Sequence, residues 1–380
     1  MSVADCRRAV LDCVEAEHAA LIRLSEGIHA AAEPAFRELE SARLLREYLS
    51  ARGLAVRAVP AGPETAFVAE AGTRGPLVIL CAEYDALPGL GHACGHNLIA
   101  AAAAGAAVAL ARLAEGCDLR VRLVGCPAEE TGGGKALLLE AGAFEGGEWA
   151  LMVHPGISEQ SEFTSRALGV QSARFLGDEG HPVRDRCGAD AASAALLAET
   201  ALGLLRNRLP EGAALVWART DEPGRPSVRR TESSLLVEPR AATQEELVLL
   251  KGQVGDCLRG AALAAGCRLE LRSPEPDYLD FRGAPDLAAA WARVLPEVGR
   301  TPGPDRGATA VTDMGNVSRR LPSLHAVMAL GGGHVGPHEP AFERLAAGGA
   351  GRAWVREAAG ALALTSLDMV AGAGGLRSTQ

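Results

Sequence analysis

Two kinds of hydrophobic pattern alternate along the first 166 residues of the chain. Short apolar or alternating runs of strand length are separated by longer stretches in which apolar residues recur at helical spacing. The predicted strands are 77–81, 120–124 and 149–153, and the predicted helices are 98–110 and 134–142. Strands separated by helices build a mostly parallel sheet covered on both faces, so this part is predicted to be an α/β domain.

A different order of elements begins near residue 167. Residues 167–278 predict four alternating strands and two long helices in the order β-α-β-β-α-β, which is typical of the split βαβ arrangement. The alternation of helices and strands then returns, with predicted helices at 286–294 and 341–364 and a strand at 326–330. A chain of 380 residues exceeds one ordinary core. We therefore predict an α/β domain formed by 1–166 and 279–380, with an α+β domain inserted at 167–278.

Composition narrows the class of protein. Hydrophobic residues make up 48% and charged residues 22% of the chain, as in a globular protein with a large interior. The net charge of −9 and the lack of a Lys/Arg-rich block argue against nucleic acid or an anionic membrane surface as a partner. The N-terminal residues lack the apolar core of a signal peptide, and the longest apolar run, 98–110, is too short to span a bilayer. We expect a cytoplasmic protein without a membrane segment.

Residues able to bind a metal follow the first predicted strand. In the loop after 77–81, Gly95 lets the chain turn tightly enough to aim Cys94 and His96 at one point. Thiolate and imidazole are ligands that zinc and related metals accept. His92, two residues earlier, is an alternative third ligand from the same loop.

Two adjacent carboxylates, Glu129 and Glu130, follow the predicted strand 120–124. Such a pair is costly beside a buried strand unless a cation is present, although a solvated turn would tolerate it. Adjacent residues at a strand end point in different directions. One of the two can therefore hold a metal while the other transfers protons.

Three further residues complete the candidate set. His154 follows the strand 149–153, where a lone histidine is more often a satisfied core residue than a ligand. His338 competes with His334 in a glycine-rich loop, and residue chemistry alone does not separate them. Asp85, just beyond 77–81, can either orient a ligand by accepting its hydrogen bond or cap its own loop. The whole set has the ligands and the spare carboxylate of a metal-dependent hydrolase.

These fragments resemble the aminoacylase-type metallopeptidases, peptidase family twenty. They look most like its branch of N-acyl-amino-acid hydrolases, aminobenzoyl-glutamate hydrolases and β-alanyl-lysine-type dipeptidases. The similarity is carried by Ala-Glu-Tyr-Asp-Ala-Leu-Pro at 82–88, Gly-His-Ala-Cys-Gly-His-Asn at 91–97, and the segments 127–134, 152–156, 312–318 and 338–342.

The resemblance implies a zinc-peptidase-like catalytic domain with two divalent metal ions, zinc or manganese. It also implies that the inserted domain is a lid through which the chain forms a homodimer. Glu129 corresponds to the general base, and the spacing from His338 to Phe342 favours His338 over His334. The implied metal ligands are Cys94, His96, Glu130, His154 and His338.

The inserted domain departs more from the family pattern. His181 corresponds to a histidine that crosses the dimer and holds the scissile carbonyl oxygen, but acidic residues precede it at 178–179. Acidic neighbours would raise the pKa of that histidine if they lie close. Arg240 corresponds to an arginine that grips the substrate's carboxylate, while Ser227 stands where many members carry the accompanying asparagine. The substrate is therefore expected to differ from the common ones.

We predict a metal-dependent amidohydrolase that cleaves an N-acyl amino acid, an aryl-acyl amino acid or a dipeptide. An alternative is action on another C–N bond, by deamination or lactam opening, with the same centre. A non-catalytic metal-binding homologue is a third possibility, and the retained Glu129, five ligands and His181 argue against it.

Overall fold

The computed structural model describes residues 2–114, 116–181, 183–185, 188–221, 225–304 and 310–374. It divides into two compact units. The first unit runs to Thr164, resumes at Phe281 and includes the chain from Thr312 onward, while the second holds Ser165–Asp280 and a short stretch ending at Val311.

The described elements are numbered in chain order. The helices are α1 (Val3–Ala31), α2 (Leu39–Ser50), α3 (His96–Ala114), α4 (Gly134–Glu140), α5 (Ala191–Arg206), α6 (Gln244–Ala264), α7 (Pro285–Val294), α8 (Met314–Ser318), α9 (Pro340–Ala347) and α10 (Gly349–Gly372). The strands are β1 (Ala55–Ala58), β2 (Phe67–Ala71), β3 (Leu77–Glu83), β4 (Arg120–Cys126), β5 (Trp149–Gly156), β6 (Ala167–Leu168), β7 (Gln171–Leu176), β8 (Ala214–Arg219), β9 (Glu232–Ala241), β10 (Arg268–Arg272) and β11 (Ser323–Ala329).

The first unit is built on a six-stranded sheet in the order β1-β2-β4-β3-β5-β11. Strands β4, β3, β5 and β11 are parallel, and β1 and β2 add an antiparallel edge. All seven residues of β3 are buried because helices cover both faces of the sheet, as the apolar run predicted. The predicted α/β class with a mostly parallel sheet is confirmed.

Helix α3 lies at the centre of the larger core. Its many alanines allow α1 and α10 to pack closely against it, and apolar side chains from all three helices meet the sheet there. Among the described residues, α3 is also the one helix long and apolar enough to cross a membrane. Since 89% of its most apolar window is buried inside the protein, the ordinary explanation is a core helix.

The sheet places three loops at one edge. Strands β3, β4 and β5 run parallel and end at Glu83, Cys126 and Gly156. Because the carboxyl ends of parallel strands lie at the same edge of a sheet, the loops that follow them converge there. This edge carries most of the candidate ligands.

The helix expected over 341–364 is two helices, so that prediction was wrong in detail. Gly348 is extended, with φ −92° and ψ −169°, and separates α9 from α10. A side chain at Gly351 would lie 2.4 Å from the carbonyl oxygen of Ala346, so the second helix can start this close to the first only with glycine there.

The second unit is an antiparallel sheet with two helices. Strand β9 pairs with β7 on one side and with β8 on the other. Strand β10 pairs with β7, and the short β6 pairs with β9. Helices α5 and α6 pack against this sheet through a separate apolar core. Asp190 and Thr243 cap the two helices by accepting backbone N–H bonds. The order is the predicted split βαβ arrangement.

Candidate metal centre

Cys94 and His96 are held by a tight loop that leads from β3 into α3. Gly95 has φ +77°, and a Cβ at this position would lie 2.6 Å from Pro155 Cγ. Glycine therefore supplies both the left-handed backbone and the space that the loop needs. His96 is the first residue of α3 and is fully buried.

Asp85 connects two of the candidate ligands. One carboxylate oxygen lies 2.9 Å from His96 Nδ1, and the other accepts the backbone N–H of Glu130 at 2.9 Å. A carboxylate only accepts hydrogen bonds, so His96 carries its proton on Nδ1 when the ring is neutral. Nε2 then presents a lone pair on the opposite side of the ring. Metal-binding histidines are commonly oriented in this way.

Three carboxylate oxygens surround His96 Nε2. The distances from Nε2 are 3.6 Å to Glu83 Oε2, 3.8 Å to Glu129 Oε2 and 3.8 Å to Glu130 Oε1. Within the described part of the chain, His96 Nε2, Glu83 Oε2 and Glu130 Oε1 are buried and have no hydrogen-bond partner. Acceptor atoms that converge in a buried place cost free energy unless a cation or a proton lies between them. These nitrogen and oxygen atoms are therefore suitable ligands for a divalent metal ion.

His154 brings a second imidazole to the same place. It lies near the end of β5, and its Nδ1 lies 2.7 Å from the carbonyl oxygen of Pro155. Its Nε2 is 3.4 Å from Cys94 Sγ. The His154 ring is stacked on His325 at 13° with ring centroids 5.8 Å apart, and His325 in turn stacks on Phe163. The ring plane of His154 is therefore fixed from outside the centre.

His338 approaches from the loop before α9. Its backbone is in the left-handed region, with φ +68°, and its N–H donates to the carbonyl oxygen of Ala93 at 2.9 Å. This bond offsets the cost of an unusual conformation for a residue with a side chain. Nε2 of His338 lies 3.4 Å from Glu130 Oε2, and this contact raises the pKa of the histidine.

Three groups of ligand atoms can each hold a metal ion among the residues that the structure describes. In each group the atoms lie within 4.8 Å of one another. The groups are Cys94 with His96 and His154, Cys94 with Glu130 and His338, and Glu83 with His96 and Glu129. Cys94 and His96 each belong to two of them, as expected for neighbouring ions that share a cluster of ligands.

Burial shapes the proton affinities of the centre. Burial raises the pKa of Glu129 well above its usual range, and the nearby carboxylates of Glu83 and Asp313 raise it further. Burial also raises the pKa of the Cys94 thiol. A bound divalent cation opposes both effects, because it favours the thiolate and the carboxylate.

The structure thus brings together every residue predicted for the centre in the first unit, namely Asp85, Cys94, His96, Glu129, Glu130, His154 and His338. The two alternatives lie outside the three groups. His92 is buried with Nε2 3.1 Å from the carbonyl oxygen of Ile28, and burial lowers its pKa to about 3. His334 is exposed.

Sequence reasoning missed Glu83 and the residues behind it. Glu83 is the last residue of β3, and its carboxylate is paired with the fully buried ammonium of Lys135, which is also paired with Asp313. An acidic residue at the end of a wholly apolar strand was the available signal. Glu38 was also missed; it accepts the backbone N–H of Ala128 at 2.9 Å and supports the loop before Glu129.

The predicted residues of the second unit lie on separate elements. His181 Nδ1 accepts the backbone N–H groups of Val183 and Arg184 at 3.2 and 3.3 Å, so its Nε2 carries the proton. Arg240 extends from β9 and contacts Glu238 at 3.2 Å. Ser227 is exposed in a turn.

An arginine that the sequence did not single out supports the His181 loop. Arg229 is buried, donates to the carbonyl oxygens of Glu179 and Asp185, and lies against Gly180. Asp178, one of the acidic neighbours of His181, accepts the backbone N–H of Ala189 at 2.8 Å.

Comparison with known proteins places this centre in a family. The model of peptidase family M20/M25/M40 matches residues 79–359. The Xaa-Arg dipeptidase of Mus musculus is 34% identical, covering 83% of this chain and 74% of the mouse protein. The Xaa-Arg dipeptidase of Homo sapiens is 31% identical, covering 94% and 87%. One of the subunits of the p-aminobenzoyl-glutamate hydrolase of Escherichia coli is 30% identical, covering 70% and 60%.

Solved structures show the same fold. An aminobenzoyl-glutamate utilization protein from Klebsiella pneumoniae has a TM-score of 0.74 at 17% identity, covering 93% of this chain and 97% of that one. A dinuclear metal-binding M20 peptidase from Bacillus subtilis has a TM-score of 0.68 at 19% identity, covering 94% and 99%. The resemblance inferred from the sequence is confirmed: the chain belongs to peptidase family M20/M25/M40, the metal-dependent hydrolases of amide bonds.

Proposed function

We propose that this hydrolase cleaves dipeptides with a basic residue at the C-terminal position. The observation that carries the proposal is the similarity to two Xaa-Arg dipeptidases over most of the chain. A second candidate is cleavage of an aryl-acyl glutamate, which is supported by the similarity to the p-aminobenzoyl-glutamate hydrolase over a smaller share of both chains.

We propose that two divalent metal ions, zinc or manganese, occupy the centre. Cys94, His96, Glu130, His154 and His338 would hold them, since their free atoms converge. When bound, such ions acidify a water molecule and polarise the substrate's carbonyl group. The thiolate of Cys94 favours zinc, and the imidazole and carboxylate ligands suit manganese as well.

Glu129 is the proposed proton carrier. Its carboxylate lies 3.8 Å from His96 Nε2 at the edge of the ligand set, and it belongs with Glu83 and His96 to one group of atoms. In this position Glu129 accepts a proton from the attacking water and returns it to the leaving amine nitrogen. A carboxylate that moves a proton in this way typically contributes about 10²- to 10⁴-fold in rate.

His181 is the proposed donor to the substrate's carbonyl oxygen. Because two backbone N–H groups donate to Nδ1, the proton is on Nε2 and Nδ1 is already engaged within its own loop. Removing one donor of this kind typically lowers kcat by about 10²- to 10³-fold. We propose that His181 acts in the active site of the other protomer of a homodimer, and that the protein works in the cytoplasm.

Two residues of β9 suit a dipeptide with a basic C-terminal residue. Glu238 and Arg240 are two positions apart, so their side chains leave the same face of the strand, and they are in contact at 3.2 Å. Arg240 is suited to hold the substrate's carboxylate in a bidentate contact. Glu238 offers a carboxylate to a guanidinium or ammonium side chain. Ser227 is proposed to take part only as a short polar neighbour, since it cannot make the two contacts of an asparagine amide.

The test is hydrolysis of a dipeptide panel by enzyme reconstituted with zinc or manganese. The panel holds one N-terminal residue followed by Arg, Lys, Leu or Glu, together with p-aminobenzoyl-glutamate and an N-acetyl amino acid. Preference for Arg and Lys is expected, with cleavage abolished in Glu129→Gln and the preference reduced in Glu238→Gln.

The outcomes separate the candidate substrates. Cleavage of p-aminobenzoyl-glutamate but not of the dipeptides would replace the first proposal with the second. Equal rates for Arg and Leu would contradict the role of Glu238. Analytical ultracentrifugation of the same preparation tests whether the protein is a homodimer. If the monomer were active, His181 would not be needed in the active site of the other protomer.

A further inference from the structure

The two lysines of the chain lie in opposite surroundings. Lys135, in α4, is fully buried, and its ammonium is paired with the carboxylates of Glu83 and Asp313. Its backbone N–H also donates to Asp313 Oδ2 at 2.8 Å. Lys251, in α6, is partly exposed and is paired with Asp277 at 2.6 Å. Lysine is almost never fully buried unless it is paired, so the place of Lys135 requires an explanation.

Stability alone does not explain this buried group. Removing two carboxylates and an ammonium from water is costly for each ion, and apolar replacements of similar volume are often neutral or stabilising. The backbone bond from Lys135 to Asp313 shows that the lysine is fixed at both ends of its side chain. The buried ammonium of Lys135 is better explained by its effect on its second partner, the carboxylate of Glu83.

That partner, Glu83, faces two ways. One of its oxygens is paired with Lys135, and the other, Oε2, lies 3.6 Å from His96 Nε2. Among the described residues Oε2 has no hydrogen-bond partner although it is buried. Because Lys135 pairs with the first oxygen, rotation of the carboxylate would break that ion pair, and this favours the orientation in which the second oxygen faces His96 Nε2 and Glu129.

We propose that Lys135 is a positioning residue of the metal centre, which acts by holding Glu83 so that its free oxygen faces the ion-binding group formed with His96 and Glu129. The inference rests on the proposed metal centre and adds to it a residue that acts on the ligand set through Glu83. Asp313 anchors Lys135 from the opposite side. The expected effect of losing Lys135 is about 10- to 100-fold in metal affinity, as for other residues that orient a metal site.

The experiment measures zinc binding to the metal-stripped full-length protein by calorimetry in competition with a chelator. The variants are Lys135→Met, Glu83→Gln and the two combined, with Lys251→Met as the matched control. Circular dichroism and thermal unfolding establish that each variant is folded. Lys135→Met and Glu83→Gln are each expected to weaken one zinc ion about 10- to 100-fold, and Lys251→Met to stay within about twofold of wild type.

The double variant separates positioning from a general structural role. If Lys135 acts through Glu83, the combined variant binds zinc no more weakly than Glu83→Gln alone. Additive losses, or wild-type affinity in folded Lys135→Met, would overturn the proposal. If Lys135→Met fails to fold, the test rests on Glu83→Gln, which keeps the shape of the side chain. Wild-type zinc affinity in Glu83→Gln would also overturn the proposal.

The same measurement distinguishes this proposal from the function proposed above. If the wild-type protein bound no zinc, the proposal of a metal centre would itself be wrong. A wild-type protein that binds two zinc ions but cleaves no dipeptide would remove only the substrate assignment, and the comparison between Lys135→Met and Lys251→Met would stand.

Discussion

Replacement of Asp85 by asparagine tests how the centre is held. Asp85 is buried and accepts hydrogen bonds at both oxygens, from His96 Nδ1 and from the backbone N–H of Glu130, each at 2.9 Å. Asparagine has the same shape but can accept at only one of these places, because its other terminal atom is a donor. Either Glu130 N–H is left without a partner, or the His96 ring must give up the tautomer in which Nε2 has a free lone pair.

The size of the effect follows from the buried donor. A buried polar group left unsatisfied costs about 1–3 kcal/mol. When zinc forces the His96 ring out of the tautomer that the asparagine favours, this cost falls on binding, and since about 1.4 kcal/mol is tenfold in an equilibrium constant, zinc affinity falls about 5- to 150-fold. The metal-stripped protein is expected to lose about 1–3 kcal/mol of unfolding free energy when the Glu130 N–H is the group left over.

The assay pairs zinc calorimetry with urea unfolding of the metal-stripped protein. Asp118→Asn is the matched control, because Asp118 is half exposed and contacts only Arg74, at 3.6 Å, among the ion pairs of the described residues. Asp118→Asn is expected to change neither quantity, since exposed pairs contribute little. If Asp85→Asn bound zinc within twofold of wild type and also kept the unfolding free energy of the metal-stripped protein, the orientation of His96 and Glu130 by Asp85 would be refuted.

Two further substitutions test the loops around the centre. Gly95→Ala is expected to lower both stability and metal binding, because the new Cβ meets Pro155 at 2.6 Å, whereas Gly89→Ala, with φ +74° and open space, should cost only about 1 kcal/mol; thermal unfolding with and without zinc compares them. Burial raises the pKa of Glu38 to about 7 from its ordinary value of 4.5, so its stabilising contribution is present below pH 4.5 and is lost as the pH rises through 7. Glu38→Gln, which resembles the protonated form, should therefore remove up to about 3 kcal/mol of pH dependence between about pH 4.5 and 7, and unchanged unfolding profiles would contradict the assignment.

Local patterns were sufficient for much of the fold. The buried strands β3 and β5 and the helix that follows the Cys94 loop were predicted because continuous apolar runs and helical spacing depend only on near neighbours in the chain. The break at Gly348 was not predicted, because the reason for it is the close approach of Gly351 to Ala346, a contact that the apolar periodicity does not express.

The candidate ligands were a different problem. Cys94 and His96 were found as a pair because they share one loop, but nothing local distinguishes His338 from His334, and the family spacing was needed to choose. The structure shows the physical difference: both histidines are exposed, but His338 is tied to Ala93 through its backbone N–H and lies 3.4 Å from Glu130. Of the two, only His338 belongs to one of the three groups of ligand atoms among the described residues.

The sequence by itself determined the two kinds of domain, the metal-ligand chemistry and the family, because apolar periodicity and short motifs are properties of neighbouring residues. Only the tertiary structure decided which side chains meet. Glu83 ends β3, Lys135 lies in α4, and Asp313, which is 178 residues beyond Lys135, directly precedes α8. The three form one buried cluster because the parallel sheet ends beside those two short helices. Long-range pairing of this kind depends on how the strands and helices pack, and no local pattern contains that information.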